Sequence, residues 1–329
     1  MTEIESFNLL DADASSLELF FKSLGEKRFR SSQVMQWIHK YGIIDVTQMT
    51  NLSKELRRRL TAETRIIIPK ILEEKNSSDG TIKWLVKLED GNVIETVYIP
   101  EESRGTLCVS SQAGCQLNCT FCATAQQGFA RQLKTGEIIG QVWLATRQLG
   151  QLGEKKKQIT NIVLMGMGEP LLNLRNVLPA VRLMLDDNAY NISRRKITVS
   201  TAGVIPGIDQ LGIECLTSLA ISLHAPNNEL RNHLVPLNKK YPLEDLMEAC
   251  HRYSNASSSE ITFEYVMLRD VNDHLKHAYS LLQLLEGVPA KINLIPYNTV
   301  PNLPYQCSSE ISINRFRDTL VKGGIVTTT

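Results

Sequence analysis

No apolar run approaches the roughly 18 residues that a membrane-crossing helix needs, and the opening MTEIESFNLL has neither the positive start nor the apolar stretch of a secretory signal. The sequence therefore predicts a cytoplasmic chain with no membrane attachment. Internal repeats and low-complexity linkers are also missing, which excludes a repeat architecture. Net charge is only +1, so no whole-molecule field announces a nucleic-acid partner. The cysteines number seven. An odd count in a chain without an export signal argues against a disulfide framework and for thiols kept for metal binding or chemistry.

What is present suffices for a large domain and a small one: 329 residues, 43% of them hydrophobic. The first 65 residues read as short helices, because SSLELFFKSL, SSQVMQWIHK and LSKELRRRL repeat their apolar positions at helical spacing behind Ser or Asn start signals. From Thr81 the period changes to two, and TIKWLVKLEDGNVIETVYIP reads as a hairpin turned at Asp90-Gly91. Pro100 and the charged EESRG mark a boundary. Residues 1–100 are thus expected to form an accessory domain of helices plus hairpin, and 101–329 the main domain.

Beyond the boundary, strand candidates alternate with amphipathic stretches: TLCVS (106–110), TNIVLM (160–165), KITVS (196–200), TSLAIS (217–222), ITFEYVM (261–267) and KINLI (291–295). Segments such as TGEIIGQVWLATRQLG and LEDLMEACHRYS are long enough for crossover helices, so a parallel α/β fold is expected. Six such units make an incomplete (β/α)6 barrel, with functional groups gathered at the carboxyl ends of the strands.

Cys115, Cys119 and Cys122 fall just after the first of these strands, spaced CxxxCxxC with Phe121 before the last. A structural zinc site is ordinarily closed by four ligands. Three thiolates on one loop suit a cubane iron–sulfur cluster that leaves one iron open. The pattern resembles the radical S-adenosylmethionine superfamily, in which the open iron holds the cosubstrate's amino acid end and reductive cleavage yields a 5′-deoxyadenosyl radical. The GMGEP turn (166–170) belongs to the same expected face, where glycines let backbone approach a ligand and Glu169 is placed to accept from an ammonium group.

A longer resemblance covers most of the chain. SSDGTIKW, ETVYIP, TLCVSSQAGC, FCATAQQGF, EIIGQVW, MGMGEPLLN, STAG, AISLHAPN, VPLNKKYP, EYVMLRDVND and KINLIPYN together resemble the RlmN/Cfr RNA adenine methyltransferases, and within them the RlmN branch. The resemblance implies methylation at C2 of an adenine in 23S ribosomal RNA and in the anticodon region of certain tRNAs, using a [4Fe-4S] cluster and S-adenosylmethionine. A cysteine near the C-terminus first carries the methyl group, and a covalent RNA adduct follows. Residue by residue, the resemblance places the cluster on Cys115, Cys119 and Cys122. It places cosubstrate contacts on Gly168, Glu169, Ser200, Ser222, Leu223, His224 and Asn298, a base on Glu95 and a resolving thiol on Cys108. It further implies an electron donor such as a flavodoxin system, and a monomer is expected. Without it, Glu95 would be an outward strand residue, Cys108 a core thiol, and His224 as readily a structural residue as a ligand.

The given residues depart from the family in stopping at GGIVTTT, before the methyl-carrying cysteine. Taken as it stands, the chain is expected to assemble a cluster and cleave S-adenosylmethionine while losing methyl transfer. Basic runs at Lys27, Arg28 and Arg30, at Arg57–Arg59, Lys155–Lys157, Arg194–Lys196, and Lys239 with Lys240 supply the expected phosphate contacts and a salt-sensitive affinity for structured RNA. Two alternatives stay open: methylation at adenine C8, as in the Cfr branch, and a non-catalytic RNA-binding relative stabilised by zinc.

Overall fold

The computed structural model describes residues 6–152 and 158–329, so the basic run Lys155–Lys157 lies outside the described residues. The chain divides into two compact units. One takes in the residues up to Ala113 with Arg131–Met167 and Asn173–Ile197, and the other takes in Gly114–Ala130, Gly168–Leu172 and Thr198–Thr329.

The first unit opens with α1 (Ala14–Ser23), α2 (Phe29–Met35) and α3 (Lys54–Glu63). Asp13 starts α1 by accepting from Ser16 N–H at 3.0 Å, and Ser53 starts α3 by accepting from Leu56 N–H at 3.1 Å. Each helix buries a narrow stripe, Leu17 and Phe21 in α1, Leu56 and Leu60 in α3, and turns its charges outward. α2 runs on into a single π-helical turn, Gln36–Lys40, which brings the Ile38 carbonyl to Trp143 Nε1 at 2.9 Å. Trp143 lies on α4 (Thr135–Gln148), whose Gly136 N–H donates to Asp11 at 2.7 Å. The helical module is therefore fastened to the first crossover helix, and α5 (Leu174–Leu185) packs beside α4 in the same unit.

The sheet of this unit carries β1 (Lys70–Asn76), β2 (Ile82–Lys87), β3 (Val93–Pro100), β4 (Gly105–Cys108) and β5 (Asn161–Leu164). Pairing is antiparallel from β1 to β4 and parallel between β4 and β5. The expected hairpin is β2–β3; Gly91 takes φ 90° at its turn, where a side chain would be strained. β1 has no signature in the sequence, because nearly every residue in KILEEKN is exposed.

The second unit carries β6 (Ile197–Thr201) from Thr198, β7 (Ser218–Ser222), β8 (Ile261–Met267), β9 (Ala290–Pro296) and a short β10 (Val326–Thr328), each parallel to the next. Around them lie α6 (Ile205–Glu214), α7 (Asn228–Leu234), α8 (Leu243–Ser257), α9 (Leu275–Leu284) and α10 (Glu310–Lys322). β8 is buried along almost its whole length, as expected of a strand with helices on one side and packed side chains on the other. All six strands expected after residue 100 form, with ends shifted by a residue or two, in a mixed α/β fold with a small N-terminal helical module. Among the described residues, no helix is long and apolar enough to cross a membrane.

Candidate functional site

In the second unit, the three cysteines occupy a loop closed at its base by Cys115 N–H donating to the Gly128 carbonyl at 2.9 Å. Gly114, at φ +79°, makes this closure possible: a Cβ there would stand 1.9 Å from the Gly128 oxygen. Leu117, Cys119 and Phe121 pack against an apolar cluster that includes Leu234, Val266, Tyr297 and Tyr305. Polar bonds fix the loop at three further points. Thr120 N–H donates to the Leu234 carbonyl at 3.1 Å, the Thr120 hydroxyl meets Tyr305 OH at 2.7 Å, and Tyr297 OH donates to the Phe121 carbonyl at 3.2 Å.

All three thiols are free and half-buried. Burial pushes the Cys119 thiol up to about 12 and raises that of Cys115, so neither is a thiolate at neutral pH unless a cation holds it. Among the described residues, the only His, Cys, Asp or Glu group whose ligand atoms all lie within 4.8 Å of one another is Asp270, Asp273 and His274. At least one pair of the three sulfurs therefore stands more than 4.8 Å apart, whereas bonds of about 2.3 Å to one zinc set sulfurs about 3.8 Å apart. Ligands of three different irons need that wider spacing, so the donor set fits an iron–sulfur cluster with one open iron.

Glu169, from the GMGEP turn, is buried next to this loop and its charge reaches Cys115 and Cys119. One carboxylate oxygen accepts from Ala202 N–H at 2.8 Å and the other from Leu171 N–H at 3.1 Å; the Thr201 hydroxyl adds a further bond. Burial outweighs these donors and pushes Glu169 up to about 7. The side chain ties its own turn to the STAG segment that ends β6.

Ser200 is buried in β6 opposite Ala220 of β7. Ser222 ends β7, Leu223 follows it, and both of their carbonyls accept from Arg231. His224 follows at φ +60°, buried, with its ring edge-on to Phe121 at 4.8 Å between centroids. Its Nδ1 accepts from Val266 N–H at 3.1 Å, which puts the ring proton on Nε2, and burial lowers its pKa to about 3. His224 is thus a neutral imidazole. Asn298 is exposed on the segment after β9.

Arg231 was not singled out by sequence reasoning. It is fully buried on α7 and donates to the carbonyls of Leu223 (3.0 Å), Ala202 (2.6 Å) and Ser222 (3.1 Å), and to Asn238 Oδ1 (2.8 Å). One guanidinium therefore joins the carboxyl ends of β6 and β7.

Glu95 and Cys108 belong to the first unit. Val97 of β3 pairs with Cys108 of β4, which puts Glu95 on the same sheet face, diagonal to the thiol. The Ser110 hydroxyl donates to the Glu95 carbonyl at 2.6 Å. Buried Gln141 of α4 takes Ser110 N–H and Thr96 Oγ1 on one amide oxygen, both at 2.8 Å. This lattice sets the strand register at Glu95. Burial pushes the Cys108 thiol up to about 12, with the Glu95 charge raising it further.

A family model described as the ribosomal RNA large subunit methyltransferase N-terminal domain matches residues 7–66, and one described as the radical SAM superfamily matches residues 109–282. A radical SAM methyltransferase from Sphaerobacter thermophilus is 40% identical with a TM-score of 0.90; the match covers 98% of this chain and 94% of that one. Two further likenesses are too weak to bear on function. SuiB from Streptococcus suis, bound to S-adenosylmethionine, is 11% identical with a TM-score of 0.49, over 69% of this chain and 51% of that one. A domain of pyruvate-formate lyase-activating enzyme from Bacteroides vulgatus is 20% identical with a TM-score of 0.39, over 51% and 97%.

The chain belongs to the radical S-adenosylmethionine superfamily, whose members use a [4Fe-4S] cluster and S-adenosylmethionine. Within it, this is an RlmN-type methyltransferase, a family whose substrates are RNA.

Proposed function

We propose that the protein's chemistry is methylation at C2 of an adenine in 23S ribosomal RNA and in the anticodon region of certain tRNAs, with the methyl carried by a further cysteine that none of the seven in the given residues matches. C2 is an electron-poor aromatic carbon with no useful nucleophilicity, so polar methyl transfer is closed to it. The cluster, when bound, supplies reductive cleavage of S-adenosylmethionine to a carbon radical. Cys115, Cys119 and Cys122 would hold it. Glu169 would take the cosubstrate's ammonium, with Gly168, Ser200, Ser222, Leu223, His224 and Asn298 around the rest. Glu95 would accept the C2 proton. Cys108 would resolve the covalent RNA adduct formed through that further cysteine: its thiolate attacks the thioether sulfur to form a disulfide, the carbon–sulfur bond breaks, and the carbon keeps the electron pair and takes a proton from solvent to become the new methyl group. A low-potential flavodoxin-type donor in the cytoplasm would supply the electron.

The observation that carries this reading is the shared sheet face of Glu95 and Cys108, a base and a thiol with no packing need for each other. A sulfur pair more than 4.8 Å apart disfavours a zinc held by all three cysteines, as the non-catalytic alternative would have it. The test is genetic and chemical. Deleting the gene for this chain in its source cell should remove 2-methyladenosine from digests of 23S ribosomal RNA, read by mass spectrometry. Loss of 8-methyladenosine instead would move the chemistry to C8, and an unchanged nucleoside profile would end the proposal.

Glu169 makes the cosubstrate step pH-dependent. Its ordinary carboxyl value is raised to about 7, so below that pH a proton occupies the group that the ligand ammonium needs. Affinity for S-adenosylmethionine should fall as pH drops from 8 to 6, by up to about tenfold per unit in the limit. Equilibrium binding to the cluster-loaded protein reads this directly. Glu169→Gln should flatten the curve, and a wild-type affinity constant across that range would remove the carboxylate from recognition.

A further inference from the structure

The half-exposed face that carries Glu95 and Cys108 holds a third chemical group, on which the proposed function made no demand. Lys83 of β2 pairs with Val97 of β3, which in turn pairs with Cys108 of β4, so the three form one row across adjacent strands. Its Nζ stands 2.7 Å from Glu95 Oε1. We propose that Lys83 is a positioning residue for this pair: its ammonium fixes the Glu95 carboxylate over the face shared with Cys108 and offsets the negative charge that the thiol meets. The inference rests on the reading of Glu95 as base and Cys108 as resolving thiol.

The geometry favours a specific role over a chance surface contact. The opposite face of the same strands is filled by Trp84, Val86, Ile94, Thr96 and Tyr98, all buried, so the alternation of the hairpin forces Lys83, Glu95 and Cys108 onto the open side together. The charged groups acting at the thiol are few. Glu95 from β3 raises the cost of ionising it, Met165 just beyond β5 offers a backbone hydrogen bond that lowers it, and Lys83 acts through Glu95. With Lys83 in place, an ionised Glu95 is paired. Once Glu95 has taken up a proton, its charge vanishes and the thiol can ionise more easily, losing its proton to solvent at the open face. Glu95 thereby links proton abstraction to the readiness of Cys108, and Lys83 holds its carboxylate where it does so.

The test needs neither RNA nor S-adenosylmethionine, so its outcome is separate from that of the methylation experiment. The cluster-loaded chain is treated anaerobically with iodoacetamide across pH 7–10, and modification of the Cys108 peptide is timed by mass spectrometry, with buried Cys215 and Cys250 as internal references. Lys83→Met should slow Cys108 alkylation by about three- to tenfold at a given pH, an effect that shrinks as salt rises. Lys83→Arg should restore the rate, and Glu95→Gln should raise it. In the Glu95→Gln background Lys83→Met should change nothing further. An unchanged profile in Lys83→Met, or an equal loss in both backgrounds, would overturn the assignment.

Discussion

Cys119→Ala should leave the chain folded and its iron–sulfur centre gone. 5′-Deoxyadenosine formation from S-adenosylmethionine and dithionite should fall to background, beyond the roughly 10- to 100-fold that losing an outer-sphere partner costs a metal site. Cys119 is the most telling of the three because it packs against the apolar cluster of the second unit and its thiol is pushed up to about 12. Nothing but a bound cation makes a thiolate of it at neutral pH. That sign sets how cluster loading responds to pH. Loading the cluster releases protons from Cys115 and Cys119, so reconstitution should go further at pH 8.5 than at pH 7. The truncation to alanine removes one small, partly exposed side chain, so thermal unfolding of the metal-free protein should shift by a few degrees at most. Iron per chain, acid-labile sulfide and the 5′-deoxyadenosine yield check all of this. A Cys119→Ala protein that still binds iron and sulfide and cleaves the cosubstrate would remove the loop from the chemistry.

The cluster loop was legible in the sequence because its spacing is itself the chemistry: CxxxCxxC states how many ligands there are and that they share one loop. The six strands after residue 100 were legible because strands covered on both faces must be nearly continuous apolar runs, as in ITFEYVM. Elements that bury little left no such trace. β1 pairs through its backbone while its side chains face water, apart from Glu74, which accepts from Trp84 Nε1 at 2.8 Å. β10 is equally exposed. The π-helical turn at Gln36–Lys40 also has no local signature, since it exists to meet Trp143 over a hundred residues away. The site divides in the same way. Cys115, Cys119 and Cys122 are defined by separation along one segment, whereas the nearness of Lys83, Glu95 and Cys108 depends on the register of three strands. Register is a property of the assembled sheet.

Arg231 shows the same limit at greater cost, and it carries the largest stability effect expected in the second unit. NELRNHL reads as a solvated helix, yet its arginine is completely buried and makes four hydrogen bonds, three of them to backbone carbonyls of Ala202, Ser222 and Leu223. Burial lowers its pKa to about 10, with the nearby Cys119 and Cys250 opposing that shift, so the guanidinium stays charged at neutral pH. Arg231→Met would fill much of the volume and leave the carbonyls and Asn238 Oδ1 without a donor in a dry site. Each orphaned acceptor costs about 1–3 kcal/mol, and breaking a buried charged network costs about 3–5 kcal/mol in all. The melting temperature should drop by about 10 °C. Arg231→Lys should rescue little of it, because one ammonium on a flexible stem cannot reach acceptors spread over two strand ends and a loop. The same carbonyls belong to the segments that present Ser222, Leu223 and His224, so the affinity for S-adenosylmethionine should weaken in both variants well below their melting points. Scanning calorimetry together with cosubstrate binding at 15 °C separates the two effects. A melting temperature within a degree or two of wild type for Arg231→Met would mean that water replaces the guanidinium at no cost and that the strand ends are held by other bonds.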